Sequence, residues 1–512
     1  MRRQTLGIIL SEVSEANPDH AIIYDFLRDK VITYGEFMDK VRGISRGLLE
    51  RGIKKGDSIG ILSYNNEEWM EMFFAICSIG AVAVLLNAEQ SKEELLYVIK
   101  FADVKLLFVT DILYEKIADD EIEKLQGIYQ MPSNDWELDA LQELIALGEK
   151  VPNQILEETM EEVDEHDVAV IQFTSGTTGM PKAVQITHKS ICFNAMITSN
   201  DMQYSKKDII LLGAPLYHVL GYIASAMAAV VAGAGICLIK KFKTMIALKA
   251  IQELKCTSFH GVPVMYQYLV SECEKFDLSS LKKGIVAGAV CSETLVDQIF
   301  KKLELCQLLN YYGQTESMII GSKNLFIESY KNFTGFRIKP WVLFEIIDFK
   351  GNKITNKNQV GNLIIKTPSL MKGYYKNEEL TQAAIQDNWY KTGDLAQYNE
   401  DGTIQIKGRG DDIINRGGEN VSAFEIKKKL MEFSGVKDVA VFGVPDEVYG
   451  EVVAACIQFV EENVSSEREI MQYMEERFPR TEVPKYLKIV EELPYNAVGK
   501  LQKDKLLELM NI

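Results

Sequence analysis

The sequence predicts an α/β protein: a large layered N-terminal domain with parallel-rich sheets, followed by a small α+β domain. Apolar runs alternate with helical patterns along most of the chain, which is typical of parallel sheets covered by helices. The 512 residues are too many for one ordinary core. The alternation stops at a polar, glycine-rich stretch, residues 408–412. We therefore predict domains at residues 1–409 and 410–512.

The composition narrows the class of protein. The hydrophobic fraction of 47% and the charged fraction of 25% are ordinary for a soluble enzyme. A net charge of −17 without a basic cluster argues against nucleic acid and anionic lipid as partners. The eight cysteines show no CxxC spacing, so neither a zinc site nor a redox motif is indicated. This cysteine usage suits a reducing compartment, and we predict a cytoplasmic protein.

Capping boxes and apolar runs define the elements of the N-terminal half. A Ser or Thr followed three residues later by Glu predicts helix starts after Thr33 and Ser91. Strands and helices then alternate. They are predicted at residues 58–63 (strand), 67–78 (helix), 81–86 (strand), 92–101 (helix) and 105–110 (strand).

One uncharged run, residues 219–239, is long enough to suggest a membrane span. Alanine and glycine dominate it, and glycines interrupt it. A buried helix followed by a strand at residues 235–239 explains the run better, so no membrane span is predicted.

The chemistry of the chain centres on residues 173–182, which follow an apolar run typical of a buried strand. Glycines let a tight loop turn its N–H groups inward, hydroxyls add donors, and Lys182 adds a movable positive charge. The pattern predicts a polyphosphate site, and the alternative is a flexible polar surface loop. The spacing differs from that of the P-loop. The predicted ligands are Thr174, Ser175, Gly176, Thr177, Thr178, Gly179 and Lys182.

Four later segments predict one shared crevice. Each ends an apolar run with Gly, Pro, His or Tyr, and ligands collect at the carboxyl ends of parallel strands. The segments are residues 211–218, 258–263, 285–289 and 308–316. His218 either has a functional role here or is a hydrogen-bonded core residue, whereas His188 and His260 are interpreted as structural.

Beyond residue 410 the pattern predicts a smaller α+β unit. Ser422 and Glu425 form a third capping box. Strands are predicted at residues 438–442 and 453–459, and a helix at residues 466–478.

Six motifs together resemble the adenylate-forming superfamily, in its acyl-CoA synthetase branch. The resemblance covers essentially the whole chain, and the shared order makes the six motifs specific as a set. They are residues 173–182, Tyr312-Gly313-Gln314-Thr315-Glu316, Tyr390-Lys391-Thr392-Gly393-Asp394, Gly408-Arg409-Gly410-Asp411-Asp412, Gly417-Gly418-Glu419-Asn420 and Gly499-Lys500.

The resemblance implies that a carboxylate attacks the α-phosphate of ATP, releasing pyrophosphate, and that the acyl group then passes to a thiol. A carboxylate is a weak nucleophile that triphosphate repels, so catalysis must rest on positioning and charge neutralisation. The implied cofactors are ATP, Mg²⁺ and CoA. Glu316 would bind Mg²⁺, and Thr315 would donate to the α-phosphate.

The resemblance also implies the nucleotide contacts. Tyr312 would stack on adenine opposite the Gly288-Ala289 backbone, and Asn310 would meet the adenine amine. Asp394 would accept from the ribose hydroxyls, and Arg409 would support the ribose or a phosphate. Taken singly, Asp394 could be a plain turn residue and Arg409 a surface ion-pair residue.

Lys500 is the implied catalytic lysine, carried on the small domain. As a point charge it would sit between the incoming carboxylate and the α-phosphate. The small domain would swing about a hinge at Asp411, and Gly417 and Gly418 would line the thiol tunnel. The alternative for Lys500 is a solvated residue near the end of the chain.

The implied acyl pocket is largely apolar, which favours a medium-chain or aromatic acid. Its residues are His218, Gly221, Tyr222, Val262, Ala287 and Met318. The resemblance implies that His218 would gate this pocket. The predicted partners are a small carboxylic acid and CoA. Two alternatives remain: an enzyme that loads the phosphopantetheine of an acyl carrier protein, and a nucleotide-binding protein without catalysis. The presence of all the charged motif residues argues against the second.

Overall fold

The computed structural model describes the chain except residues 1–3, 118–124, 132–139, 175–180, 290, 326–334, 349, 358, 417–418, 461–464, 496–500 and 511–512. Side chains at 140, 411, 415, 419 and 420 are also outside the description. The chain divides into two compact units, Met1–Asn332 with Thr367–Ala383, and Phe333–Lys366 with Ala384–Ile512. The predicted boundary at residue 410 stays a prediction.

The strands are numbered in chain order. They are β1 (Ala21–Asp25), β2 (Lys30–Thr33), β3 (Ser58–Leu62), β4 (Val82–Leu86), β5 (Leu106–Thr110), β6 (Gly127–Met131), β7 (Val168–Thr174), β8 (Lys182–Thr187), β9 (Ile209–Leu212), β10 (Gly235–Leu238), β11 (Ser258–Gly261), β12 (Lys283–Ala287), β13 (Gln307–Gln314), β14 (Met318–Asn324), β15 (Arg337–Ile338), β16 (Leu343–Ile347), β17 (Gly361–Lys366), β18 (Gly373–Tyr374), β19 (Ile385–Gln386), β20 (Trp389–Tyr398), β21 (Ile404–Arg409), β22 (Ile413–Arg416), β23 (Glu419–Ser422), β24 (Val436–Asp446), β25 (Gly450–Phe459) and β26 (Tyr486–Val490).

The α-helices follow the same numbering. They are α1 (Leu6–Ala16), α2 (Tyr34–Glu50), α3 (Glu67–Ser78), α4 (Lys92–Phe101), α5 (Asp111–Tyr114), α6 (Ala140–Gly148), α7 (Asn153–Glu162), α8 (His188–Asp201), α9 (Val219–Gly221), α10 (Ala228–Ala232), α11 (Thr244–Leu254), α12 (Pro263–Glu272), α13 (Glu293–Leu303), α14 (Glu378–Ala384), α15 (Ala423–Leu430), α16 (Glu467–Arg477) and α17 (Lys503–Met510). A π-helix covers Tyr222–Met227, and 3₁₀ helices cover Cys273–Lys275 and Gly410–Asp412.

Two parallel-rich sheets form the first unit, which confirms the predicted layered α/β class. One runs in the order β14-β13-β12-β11-β9-β10-β1-β2, and the other runs β18-β8-β7-β4-β3-β5-β6. Strands β9, β11, β12 and β13 are neighbours and all parallel. Their carboxyl ends therefore share one edge, where the four segments predicted to form a crevice end. Helices α11 to α13 bury an apolar core beneath them.

The second unit holds two sheets of its own. One runs β16-β17-β20-β19 with β21 paired to β20, and the other runs β23-β22-β25-β24 with β26 paired to β25. All pairs of the first of these sheets are antiparallel. In the second, only β26 pairs parallel to its neighbour.

Three helix starts were predicted from capping boxes, and the structure shows the hydrogen bonds at each of them. At Thr33 and Ser91 both halves of the capping box form. At Ser422 only one half forms, because the Glu425 N–H donates to Ser422 while the Glu425 carboxylate pairs with Lys407 (Oε1 to Nζ 3.1 Å). The prediction of a complete box at Ser422 was therefore wrong, since a tertiary ion pair competes for the glutamate.

The uncharged run at residues 219–239 folds as predicted, into buried helix followed by strand β10. Between α9 and α10 the helical part of this run is a π-helix, which the sequence did not predict and which is frequent at functional sites. None of the helices in the part of the chain that the structure describes has the length and apolar character needed to cross a bilayer.

Candidate active site

The two strands that flank the predicted polyphosphate loop pair directly with each other. β7 ends at Thr174 and β8 begins at Lys182, and these two residues are partners in the antiparallel register. The loop therefore leaves and re-enters the sheet at one point. The other predicted loop ligands, residues 175–179, lie outside the described residues.

The predicted acyl pocket connects to the same strand. Gln172, two residues before Thr174, is buried, and its Oε1 accepts the Tyr222 hydroxyl at 3.3 Å. Gly221 is required by close packing, because a Cβ there would lie 2.0 Å from the carbonyl oxygen of Pro215. The start of the π-helix is therefore closely packed, with Tyr222 bonded to Gln172 and Gly221 lying against Pro215.

His218 follows β9 and carries an unpaired polar atom. Its Nε2 is buried and has no hydrogen-bond partner among the described residues. The ring lies 4.8 Å from that of Tyr217, and burial lowers the pKa of His218 to about 3. The imidazole is therefore neutral near pH 7, so it can hydrogen-bond a ligand or form a wall of the pocket but cannot supply positive charge.

His260 and His188 have partners that fit the structural interpretation. In His260, Nδ1 lies 3.0 Å from the Ser225 hydroxyl and Nε2 lies 2.5 Å from the Tyr204 hydroxyl. In His188, Nδ1 accepts the Leu6 N–H at 3.3 Å. Burial lowers the pKa of His260 to about 3 and that of His188 to about 4. Both rings are neutral core groups near pH 7.

Thr315 and Glu316 form the turn between β13 and β14, and Met318 begins β14. The turn is tight, since a Cβ at Gly313 would lie 2.1 Å from the Met318 carbonyl oxygen. Met318 itself has a φ of 59°, in the left-handed region that favours glycine. Strained backbone of this kind clusters at functional sites.

The side chain of Tyr374 brings Glu316 and Lys182 together. The Tyr374 hydroxyl donates to Glu316 Oε1 at 3.0 Å. Lys182 Nζ lies 5.8 Å from the centre of the Tyr374 ring. The predicted polyphosphate lysine and the predicted Mg²⁺ carboxylate therefore contact the same aromatic side chain, although they come from different sheets.

Asn194, buried in α8, braces the same turn. Its Nδ2 donates to the Ser369 hydroxyl at 2.8 Å and to the Ser190 carbonyl at 2.7 Å. Its Oδ1 accepts the Ile319 N–H at 3.2 Å. The helix thereby connects the start of β14 to the segment that leads into β18.

Three residues of this candidate site were not predicted from the sequence: Gln172, Asn194 and Tyr374. Gln172 and Asn194 carry a sequence signal, because each is an amide side chain within an apolar run and needs partners when buried. Tyr374 carries only a weak signal, an aromatic pair directly after Gly373. Its contacts depend on the pairing of β18 with β8, which lies far away in the sequence.

The predicted adenine contacts lie on adjacent strands. Asn310 and Tyr312 are on β13, buried and half-buried respectively, and Gly288 and Ala289 follow the neighbouring β12, exposed at its end. Gly288 has a φ of 84°, which glycine adopts without strain. A Cβ there would lie 3.4 Å from Val262, so one predicted pocket residue lies beside this bend.

In the second unit, Asp394 and Arg409 are partners across β20 and β21. Arg409 Nε lies 3.4 Å from Asp394 Oδ1, and its Nη2 donates to the Thr392 carbonyl at 3.3 Å. Asp394 is buried while Arg409 is half exposed. The ion pair fixes the carboxylate, and the ribose roles of both residues stay predictions.

The remaining predicted residues lie wholly or partly outside the described residues. Gly417, Gly418 and Lys500 lie outside the described residues. Asp411 lies in the 3₁₀ helix Gly410–Asp412, directly after β21, and its side chain is outside the description. The hinge, tunnel and catalytic-lysine roles therefore stay predictions.

Two family models match the chain. The one described as AMP-binding enzyme matches residues 10–375, more than half of the sequence. The chain belongs to the AMP-binding enzyme family. The model of the AMP-binding enzyme C-terminal domain matches residues 425–500.

Individual comparisons agree with this family. YngI of Bacillus subtilis (strain 168), whose name marks it as a candidate acyl-CoA synthetase, is 32% identical over 98% of this AMP-binding enzyme and 96% of its own length. The mitochondrial medium-chain acyl-CoA ligase ACSF2 of Bos taurus is 29% identical over 100% of this chain and 88% of its own. The family models and these relatives confirm the prediction of an AMP-forming ligase of the acyl-CoA synthetase branch.

A solved structure supports the fold. ATP-bound MatB from Rhodopseudomonas palustris superposes with a TM-score of 0.87 over 99% of both chains, at 23% identity. This likeness confirms the fold class of the AMP-binding enzyme described above.

Proposed function

We propose that the protein activates a carboxylic acid with ATP, forming an acyl-adenylate and pyrophosphate, and then transfers the acyl group to CoA. The proposal rests on one observation: the Glu316 carboxylate and the Lys182 ammonium both contact the side chain of Tyr374. A cation for phosphate oxygens and a carboxylate for a hard metal ion are the two charges that triphosphate chemistry needs side by side.

The donor set fits a magnesium nucleotide. Within the residues that the structure describes, no group of three or more His, Cys, Asp or Glu side chains could hold a metal by itself. Mg²⁺ in such enzymes is held by one or two carboxylates and by substrate phosphates, and it neutralises phosphate charge when bound. Glu316 would supply the carboxylate. The Thr174 strand end and Lys182 would hold the β- and γ-phosphates. The structure of MatB contains ATP, which supports ATP as the nucleotide here.

We propose a medium-chain or aromatic acid as the acyl substrate. The predicted pocket residues Tyr222, Val262 and Met318 are buried and offer mainly apolar surface. The buried, neutral Nε2 of His218 could meet the carboxyl end of an acid. ACSF2, named as a medium-chain ligase, supports the same size class.

CoA is the favoured thiol acceptor, because the relatives compared are named for CoA. A carrier-protein phosphopantetheine carries the same thiol arm, but no observation favours it. The predicted cytoplasmic location stays a prediction.

Pyrophosphate release tests the proposal across a panel of acids, each with and without CoA. The panel includes acetate, hexanoate, octanoate, benzoate and an amino acid. We expect release with hexanoate, octanoate or benzoate, and faster turnover when CoA is added. No release with any acid would contradict the adenylation, and release that CoA never accelerates would contradict the acceptor.

A further inference from the structure

We propose that Tyr374 is a positioning residue that fixes the Glu316 carboxylate and the Lys182 ammonium in the arrangement that binds MgATP. This inference rests on the proposed function. It assigns a role to a side chain outside the six motifs, and it makes β18 part of the nucleotide site.

The hydroxyl of Tyr374 holds one oxygen of Glu316. The tyrosine is 6% exposed, and its hydroxyl lies 3.0 Å from Oε1. A hydrogen bond to a carboxylate is charge-assisted and strong, so it limits rotation of the group. With Oε1 held in this way, the range of orientations open to the other carboxylate oxygen is also limited.

The ring of Tyr374 holds the lysine more weakly. Lys182 Nζ lies 5.8 Å from the ring centre, inside the range in which an ammonium is attracted to an aromatic face. This attraction is modest at a partly exposed site. It keeps the flexible lysine near the site, where its ammonium remains available to phosphate oxygens.

The backbone fixes the position of the tyrosine from two sides. Around it, Lys372 N–H donates to the Gln185 carbonyl at 2.9 Å and Tyr375 N–H donates to the Ala183 carbonyl at 2.8 Å, so the segment is bound to the strand that Lys182 begins. On the other side, Met371 N–H donates to the Glu316 carbonyl at 2.7 Å. The segment that carries Tyr374 is therefore bonded both to strand β8, which Lys182 begins, and to the backbone of Glu316.

The adjacent tyrosine provides a matched control. The Tyr375 hydroxyl also donates to a carboxylate, Asp103 Oδ2, at 3.2 Å, and its ring packs against Phe101. Tyr375→Phe removes the same atom as Tyr374→Phe, one residue along, and leaves Glu316 untouched. A general effect of losing a tyrosine–carboxylate bond in this segment would appear in both variants.

The test measures nucleotide binding by isothermal titration calorimetry, with MgATP and with ATP in EDTA, and measures both half-reactions. For Tyr374→Phe we expect MgATP to bind about tenfold more weakly, the size expected for one hydrogen bond to a charged group. Binding of ATP in EDTA should be unchanged, as should thioester formation from supplied acyl-adenylate. Tyr374→Leu, which also removes the ring, should weaken ATP in EDTA as well.

Several outcomes would overturn the inference. Equal MgATP affinity in Tyr374→Phe and Tyr375→Phe would show that the hydroxyl does not position Glu316. Equal losses with and without Mg²⁺, together with a slower thioester step, would show a merely structural role. If the wild-type protein neither bound MgATP nor exchanged pyrophosphate, the proposed function itself would fail, and this wild-type result is separate from any comparison of variants.

Discussion

At the scale of single residues, Lys500 carries the sharpest prediction. Lys500→Ala should abolish acyl-adenylate formation and largely spare thioester formation from supplied acyl-adenylate. The reason is that only the first step brings a carboxylate against an α-phosphate, where a positive charge lowers the barrier. ATP–pyrophosphate exchange measures the first step, and acyl-CoA release measures the second.

Lys503→Ala is the matched control for Lys500, since Lys503 lies three residues away at the start of α17. It should leave both half-reactions unchanged. Adenylation by Lys500→Ala at a rate near that of the wild type would refute the role assigned to this lysine and favour the solvated-residue alternative.

The His218 ring, whose Nε2 is buried, predicts a pH dependence of stability. Its folded pKa of about 3 lies below the ordinary value of 6.5, so the unfolded chain binds the proton more readily. The contribution of His218 is complete above pH 6.5 and is lost as the pH falls from 6.5 towards 3. His218→Gln should therefore reduce the loss of unfolding free energy between pH 7.5 and 5.5 by about 1.4 kcal/mol.

Urea denaturation at the two pH values measures this difference. His166→Gln provides the comparison, because the His166 side chain is 67% exposed. An identical pH dependence in His218→Gln and the wild type would show that His218 is not buried as a neutral ring in the native protein.

At the scale of elements, α8 supports the turn at Thr315 and Glu316 through Asn194. Asn194→Ala would leave the buried Ile319 N–H without its acceptor and remove the link to Ser369. An unsatisfied buried donor costs about 1–3 kcal/mol, so we expect a loss of that size in unfolding free energy. We also expect slower adenylation, because the bond fixes the start of β14 next to Glu316.

Asn200→Ala is the control for the same helix, since Asn200 is exposed near its C-terminal end. Urea denaturation and ATP–pyrophosphate exchange are measured on both variants. The comparison distinguishes the loss of the Asn194 contacts from a general effect of losing an asparagine in α8. Equal stability of the two variants would rule out the bracing role of Asn194.

The elements also show what the sequence could and could not predict. Strand ends and capping signals are local, so the strand before Thr174 and the boxes at Thr33 and Ser91 were predictable. The incomplete cap at Ser422 and the contacts of Tyr374 depend on partners that tertiary folding supplies, Lys407 and Glu316. Periodicity and spacing carry no information about such partners.

At the scale of the whole molecule, the order of the six motifs predicted the fold class and the family, which the chemistry of any single motif did not. The fold class and the family are confirmed. The site residues in the two units stay separate predictions, because Lys182 and Glu316 belong to the first unit and Asp394 and Arg409 to the second. The predicted alternation between two conformations would be the means by which one site serves both half-reactions.

The path of the chain between the two units has a consequence for synthesis. Residues 333–366 belong to the second unit but leave the ribosome before Thr367–Ala383, which complete the first. Tyr374 can therefore reach Glu316 while β17 still lacks β20, its neighbour in the finished sheet. A protein truncated after Ala383 would carry β17 as an uncovered edge strand, and edges of this kind promote aggregation. Deletion of residues 384–512 therefore requires residues 333–366 to be removed or shielded as well.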